Sequence, residues 1–479
     1  MNQSVIYKTD NGNYYLYNNE YGLTMVLSPV FIAIYKGESH DPYYEKKYSY
    51  LRSHGFFSKF YPNMAIKIDE KMIKDSIMQV PQIVFEMTEA CNLNCTYCAL
   101  GELYNWTSQN KKRGKKLNVD SAIKLINYIF NLRVHSHNKK VSISFYGGEP
   151  LLNMNCIKKI VNYAKTLGNA LNLEVNFNMT TNGLLLHKYI DFVVKNRFNL
   201  LVSLDGDEKN NSYRVLKSNG NPSFQQVVSN LEMIQNVYPT FFEHNISFNA
   251  VLHDKNSVKQ IYEYIYKKFH KTPLISELNT LGVNRLKEDI FRSMFRSRFQ
   301  SEMEYTREKN NIYPHEMFSA YYSLIDFLKY LSVNSSISDV SSLFSQTMKF
   351  YPANTCVPFS KKIFLTVDDK LLACERISYK YVLGEIKENV DLDFANIAHT
   401  YTHYYERLQN VCSQCYLYKF CGICLFYLNN MDKNISGSFA CEYSCDEGKF
   451  SNRLSELFSF IEKYPNDVYE ILENLVIEK

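Results

Sequence analysis

The chain has 479 residues, of which 46% are hydrophobic, and its 54 basic and 49 acidic side chains leave a net charge of +5. That is enough apolar material for two or three domains with their own cores, and so even a balance gives no electrostatic case for nucleic acid. No apolar run reaches the roughly 20 residues of a membrane helix, and the opening MNQSVIYKTD lacks the pattern of an export signal, so a cytoplasmic chain without a membrane partner is expected.

Residues 1–80 are rich in Tyr and Phe. Tyr14–Tyr17, Leu23–Leu27 and Phe31–Tyr35 read as short strands, and Pro42–Phe57 as a helix with Tyr44, Tyr48 and Leu51 at helical spacing. From residue 82 the pattern changes to strands alternating with helices. The expected strands are Ile83–Met87, Val141–Tyr146, Glu174–Met179, Leu200–Leu204, Ile246–Leu252 and Leu274–Leu281. The expected helices are Val119–Leu132 (N-cap Asn118 or Asp120), Ile157–Leu167, Phe224–Val237 and Ser257–Lys268. About six βα units imply an α/β fold with a parallel sheet, closed as a partial (β/α)6 TIM-like barrel. Lys287–Arg298 and Phe318–Leu331 are periodic enough for helices, as are Leu454–Ile461 and Val468–Ile477 near the end. The basic run Lys111, Lys112, Arg113, Lys115 and Lys116 reads as a solvated loop, with a guide surface for an acidic peptide as the second reading. The expected domains are 1–80, a small α+β unit; 81–284, the barrel; 285–350, a helical bridge; 351–450, a cysteine-rich domain; and 451–479, a helical tail.

Twelve cysteines are distributed unevenly. Cys91, Cys95 and Cys98 lie within eight residues, in the loop after the first barrel strand. Three thiolates this close can hold three irons of a 4Fe–4S cube and leave the fourth open to a small molecule, whereas a fully ligated cluster mainly carries electrons. Eight more, Cys356, Cys374, Cys412, Cys415, Cys421, Cys424, Cys441 and Cys445, crowd the last third. Without an export signal they read as metal ligands rather than disulfides. Cys156 stands alone and suits a small buried side chain.

Every unusual motif follows the C-terminal end of an expected strand, the rim on which barrel active sites are built. Gly147-Gly148-Glu149-Pro150 follows the second strand; its glycines permit close backbone approach, and its carboxylate can hold an ammonium group. Thr181-Asn182-Gly183 and Ser203-Leu204-Asp205-Gly206 end the next two. Asp205 suits a turn before glycine or a substrate-side acid. Arg214 suits a carboxylate partner or a surface salt bridge.

The run Cys91-x3-Cys95-x2-Cys98, with Tyr97 in the aromatic slot before the last cysteine, resembles the signature of the radical S-adenosylmethionine (SAM) superfamily. The resemblance implies that Gly147, Gly148 and Glu149 receive the methionine amino group of SAM, and that Asn182 and Ser203 lie beside its nucleoside and carboxylate, a carboxylate for which the guanidinium of Arg214 is a suitable partner. Cys412-x2-Cys415-x5-Cys421-x2-Cys424 resembles the SPASM extension of these enzymes, although the family usually has three residues between the last two cysteines. By that resemblance Cys412, Cys415, Cys421 and Cys441 hold one auxiliary 4Fe–4S cluster, and Cys356, Cys374 and Cys424 another, with Cys445 as a further ligand or a spare. Three clusters, SAM and an electron donor such as flavodoxin or ferredoxin are implied. The resemblance further implies a maturase that cross-links a ribosomally made precursor peptide, its leader captured by residues 1–80. The alternatives are a formylglycine-forming sulfatase maturase and, in another class, a non-catalytic iron–sulfur or zinc peptide-binding protein.

Overall fold

A computed structural model describes residues 1–105, 114–306 apart from 137 and 281, 323–325, 327–328, 351–428 apart from 420, Met431 and 440–474. The expected helix Phe318–Leu331 and the first half of the basic run fall largely outside these residues. The chain forms two compact units, one of residues Met1–Lys67, Ile312–Thr355 and Thr400–Lys479, the other of Ile68–Asn311 and Cys356–His399. Among the described residues no helix is long and apolar enough to cross a membrane.

The first unit opens with an antiparallel sheet, β1 (Ser4–Lys8), β2 (Tyr14–Asn18) and β3 (Leu23–Leu27), in that spatial order. Two helices follow, α1 (Pro29–Lys36) and α2 (Pro42–Ser53). The expected strand Phe31–Tyr35 is therefore helical. Its aromatic and β-branched content favours a strand, but its flanks do not. The Ser28 hydroxyl accepts from the Phe31 N–H, Pro29 occupies the first turn, and Gly37 closes the helix in the left-handed region at φ 74°. Helix Glu447–Lys463 packs on β1 and contributes Phe450, Leu454 and Leu457 to a core shared with Val5, Tyr7 and Tyr17. The N-terminal strands and the C-terminal helix thus bury one another's apolar faces.

The second unit begins with α3 (Glu70–Met78), a helix that sequence reasoning missed, and β4 (Gln82–Glu86). Then come α4 (Val119–Arg133), β5 (Lys140–Tyr146), α5 (Met154–Ala170), β6 (Glu174–Thr181), α6 (Leu186–Lys195), β7 (Asn199–Ser203), α7 (Phe224–Val237), α8 (Pro239–Asn245), β8 (Ile246–Leu252), α9 (Val258–Phe269) and β9 (Leu274–Glu277). Strands β4 to β9 lie side by side in chain order, all parallel, which is the arrangement the six expected βα units require. Their inward residues, such as Ile83, Phe85, Ile143, Phe145 and Val202, are buried. The expected helix Lys287–Arg298 is divided into α10 (Glu288–Met294) and α11 (Arg298–Thr306) around an extended Phe295. A sheet extension was not foreseen: β10 (Ile363–Leu365) pairs parallel with β4, and β11 (Lys370–Leu372), β12 (Gly384–Ile386) and β13 (Val390–Leu392) continue it antiparallel. Helix Phe394–Cys412 then ends on a cysteine.

Candidate active site

The loop after β4 carries Cys91, Cys95 and Cys98, all half-buried with free thiols. Backbone pairing fixes its start: the Gly148 N–H donates to Thr88 O at 2.8 Å and the Glu149 N–H to Ala90 O at 2.9 Å. A Cβ on Gly147 would lie 2.5 Å from Thr88 O, and one on Gly148 2.2 Å from Ala90 O. Both glycines are required because two backbone segments touch, so part of the close approach expected toward a ligand is spent on the cysteine loop itself.

Glu149 is fully buried. Its Oε1 accepts from the Thr181 hydroxyl at 2.8 Å and the Leu151 N–H at 3.2 Å, and its Oε2 from the Asn182 N–H at 2.8 Å. Burial outweighs these donors and pushes the carboxyl up to about 7. Asn182 donates from Nδ2 to Asn92 Oδ1 at 2.8 Å and lies 3.6 Å from Cys91 Sγ. The end of β5, the end of β6 and the cysteine loop therefore meet. Ser203, the last residue of β7, is half-buried beside Asn249 of β8 in the sheet register.

Asp205 and Arg214 meet each other, a pairing that the sequence did not suggest. Both are buried, and they pair through two bonds of 2.9 Å, from Arg214 Nε to Oδ2 and from Nη2 to Oδ1. Oδ1 also accepts from the Val251 N–H at 2.9 Å, and Oδ2 from the Tyr97 hydroxyl. Burial alone would raise the Asp205 carboxyl, but the Arg214 charge and these donors hold it well below the usual range. Tyr97 is buried between His253, stacked at 5.5 Å, and Tyr213, edge-on at 5.9 Å.

The donor set suits an iron–sulfur cluster. Burial pushes the Cys91 thiol up to about 11 and the Cys95 thiol up to about 12, with the Leu93 N–H and Arg214 respectively opposing it. Such thiols ionise when a cation replaces the proton, and the Leu93 N–H, 3.4 Å from Cys91 Sγ, is ready to donate to the thiolate. Among the described residues, no three His, Cys, Asp or Glu side chains converge on a single ion; a cube spreads its thiolates wider than one ion does.

Sequence reasoning missed a second polar group on the same rim. Glu86, the last residue of β4, is buried and accepts from the Tyr379 hydroxyl at 2.7 Å and the Val367 N–H at 3.0 Å; burial raises its carboxyl. Tyr146, the last residue of β5, lies close enough to Cys98, Cys374 and Glu375 for their charges to raise its phenol further, after burial. An acid ending an otherwise apolar strand was the available signal for Glu86. Cys374 is half-buried, its thiol pushed up to about 12 by burial and by Glu375, while Cys356 is exposed. Cys156 is buried on α5, with its thiol 3.8 Å from Leu117 O.

In the other unit, Cys412, Cys415, Cys421 and Cys441 line one cavity together with Tyr418 and Ile423. Burial pushes the Cys412 thiol up to about 12 and the Cys421 thiol up to about 11. Cys424 precedes the short turn Leu425–Tyr427. Cys445 is buried in the core with Tyr416, Phe450 and Leu454, and its backbone N–H lies 3.3 Å from Cys415 Sγ.

Residues 85–265 match the family model of the radical SAM superfamily. The chain is 29% identical over 180 residues to the radical SAM cyclopropyl synthase TigE of Paramaledivibacter caminithermalis, covering 36% of each chain. It is 28% identical over 183 residues to a cysteine-type anaerobic sulfatase-maturating enzyme of Clostridium novyi, covering 38% of this chain and 45% of the relative. The chain thus spans less than half the length of these curated relatives. Among solved structures, that of native anSMEcpe with bound AdoMet and a Cp18Cys peptide superposes with a TM-score of 0.52 at 16% identity, over 82% of this chain and 99% of the other. At that identity the likeness concerns the fold.

Proposed function

We propose, from the premise that residues 85–265 form a radical SAM domain, that the chain is a peptide maturase that cross-links side chains within a ribosomally made precursor. When bound, a 4Fe–4S cluster at Cys91, Cys95 and Cys98 and a SAM molecule supply a 5′-deoxyadenosyl radical able to take hydrogen from an unactivated carbon. The chain's own residues hold and screen these groups. Glu149, buried beside Cys91, offers a carboxylate to the SAM ammonium, and Asn182 braces the Cys91 side of the loop. The buried rim limits water at the reacting centre. The four cysteines lining the cavity of the other unit support an auxiliary cluster, and Cys356 and Cys374 are ligands proposed for a second, each resident cluster serving electron transfer. A flavodoxin or ferredoxin is the proposed donor.

The observation that carries the peptide reading is the free edge of β3. Among the described residues β3 pairs only with β2, and Val26 is 66% exposed. An extended leader can add to such an edge as a further strand. Because β1 shares its core with the helix Glu447–Lys463, removing the N-terminal segment would unfold more than a binding surface. The better test is Leu23→Lys with Val26→Lys, which should weaken binding of a precursor peptide at least tenfold (about 1.4 kcal/mol) and leave SAM cleavage unchanged. Undiminished peptide affinity would refute the edge-binding idea.

The relative that matures sulfatases supports a second reading, formylglycine formation. The two differ in product: a cross-linked peptide loses two hydrogens and gives no hydrazide adduct, whereas a formylglycine aldehyde reacts with hydrazide.

A further inference from the structure

The buried Asp205–Arg214 pair has no place in the chemistry above, yet it is the most completely bonded ionic group of the rim. Among the described residues, the Asp205 carboxylate accepts two bonds from Arg214, one from Val251 and one from Tyr97, and the His253 ring lies 3.8 Å from its Oδ2. Its backbone is tied as well, the N–H to Asn211 Oδ1 at 3.1 Å and the C=O to Asn256 Nδ2 at 3.3 Å. A carboxylate so saturated has no lone pair to spare for a substrate proton. Arg214 spends its Nε and Nη2 on Asp205 and lays its guanidinium 5.5 Å from the centre of the Tyr97 ring. Tyr97 belongs to the cysteine loop, one residue before Cys98 and two after Cys95, and Cys95 packs on the same apolar cluster as Tyr97.

We infer that Arg214 and Asp205 are positioning residues for the cysteine loop, and that their two opposite charges, held against Tyr97 of that loop, act on the reduction potential of the cluster held there. The loop gains its fixed point from the Tyr97 phenol, clamped between Asp205, His253 and Arg214. Reduction adds one negative charge to a cluster with thiolate ligands, so a nearby cation favours the reduced state and a nearby anion opposes it. This inference rests on the radical SAM reading of Cys91, Cys95 and Cys98.

The two charges must therefore act with opposite sign, which a merely structural role would not produce. The test is an EPR-monitored redox titration of the full chain with its iron–sulfur clusters reconstituted anaerobically, following the signal whose shape changes when SAM is added. Arg214→Met should lower the midpoint, with about a tenfold drop in the reduced-to-oxidised ratio at the wild-type midpoint, about 59 mV for one electron. Asp205→Asn should raise it by a similar factor. Arg214→Lys, which keeps the charge but not the fork, should restore most of the potential while melting lower than wild type. Tyr97→Phe keeps both charges and guards against variants that do not fold: it should hold the wild-type midpoint and lose thermal stability. Shifts of the same sign in Arg214→Met and Asp205→Asn, or no shift in either, would overturn the inference. A wild-type protein whose reduced clusters show no response to SAM would instead overturn the reading beneath it.

Discussion

The two cysteine-bearing regions differ in what surrounds their thiols. In the barrel, Cys91 and Cys95 stand among charged and amide groups: Glu149, Asn182, Arg214 and Asp205. In the other unit, Cys412, Cys415, Cys421 and Cys441 line a cavity whose other walls include Ile423, Leu428 and Met64. A site that must bind a zwitterionic ligand and deliver an electron at a tuned potential needs nearby charge, held by its own hydrogen bonds. A site that only stores or passes electrons is better served by exclusion of water and by complete thiolate ligation.

The largest effect expected to sharpen this contrast is that of Cys91→Ala. It should abolish 5′-deoxyadenosine formation and remove about four irons per chain, measured by chromatography and iron assay. Cys412→Ala should also cost about four irons and lower the melting temperature, yet leave the SAM-responsive EPR signal in place; its loss would break the division of labour. Glu149→Gln comes next. The wild-type carboxyl titrates at about 7, and only its ionised form pairs with an ammonium, so SAM affinity should rise with pH through about 7 and level off above it. In Glu149→Gln, calorimetric affinity should be at least tenfold weaker and flat with pH. Tyr97→Phe should cost about 1–2 kcal/mol of stability by chemical denaturation, the loss of one hydrogen bond to a buried charge. The smallest effect belongs to Cys445→Ala. Its side chain sits in the core, so about 1 kcal/mol of stability should be lost with the iron content unchanged.

The barrel was legible because its signals are local. Most of β4 to β9 are short, largely apolar runs flanked by amphipathic helices, and Gly147-Gly148-Glu149-Pro150 and Asn182 stand at strand ends, so the meeting of Glu149 and Asn182 followed from the topology. Contacts between distant residues could not be read in this way. Tyr97 and Asp205 are 108 positions apart, and Asp205-Gly206 has the composition of an ordinary turn, which hid a buried ion pair. The pairing of β10 with β4 joins segments 280 residues apart, from Ile363 back to Ile83, with no periodicity to announce it. At Phe31–Tyr35 two local signals competed, and the caps at Ser28 and Gly37 prevailed over strand propensity. The eight distal cysteines were visible at once, but the burial of Cys445 among aromatic residues depended on helix Glu447–Lys463 folding back onto β1.

The most direct test of the account is anaerobic incubation of the iron-loaded full chain with SAM and a one-electron reductant, followed by quantitation of 5′-deoxyadenosine and methionine. Equimolar formation of the two, absent in Cys91→Ala, is the result predicted. Intact SAM in a preparation whose clusters are loaded and reduced would contradict the central claim that the loop at Cys91, Cys95 and Cys98 starts a radical reaction.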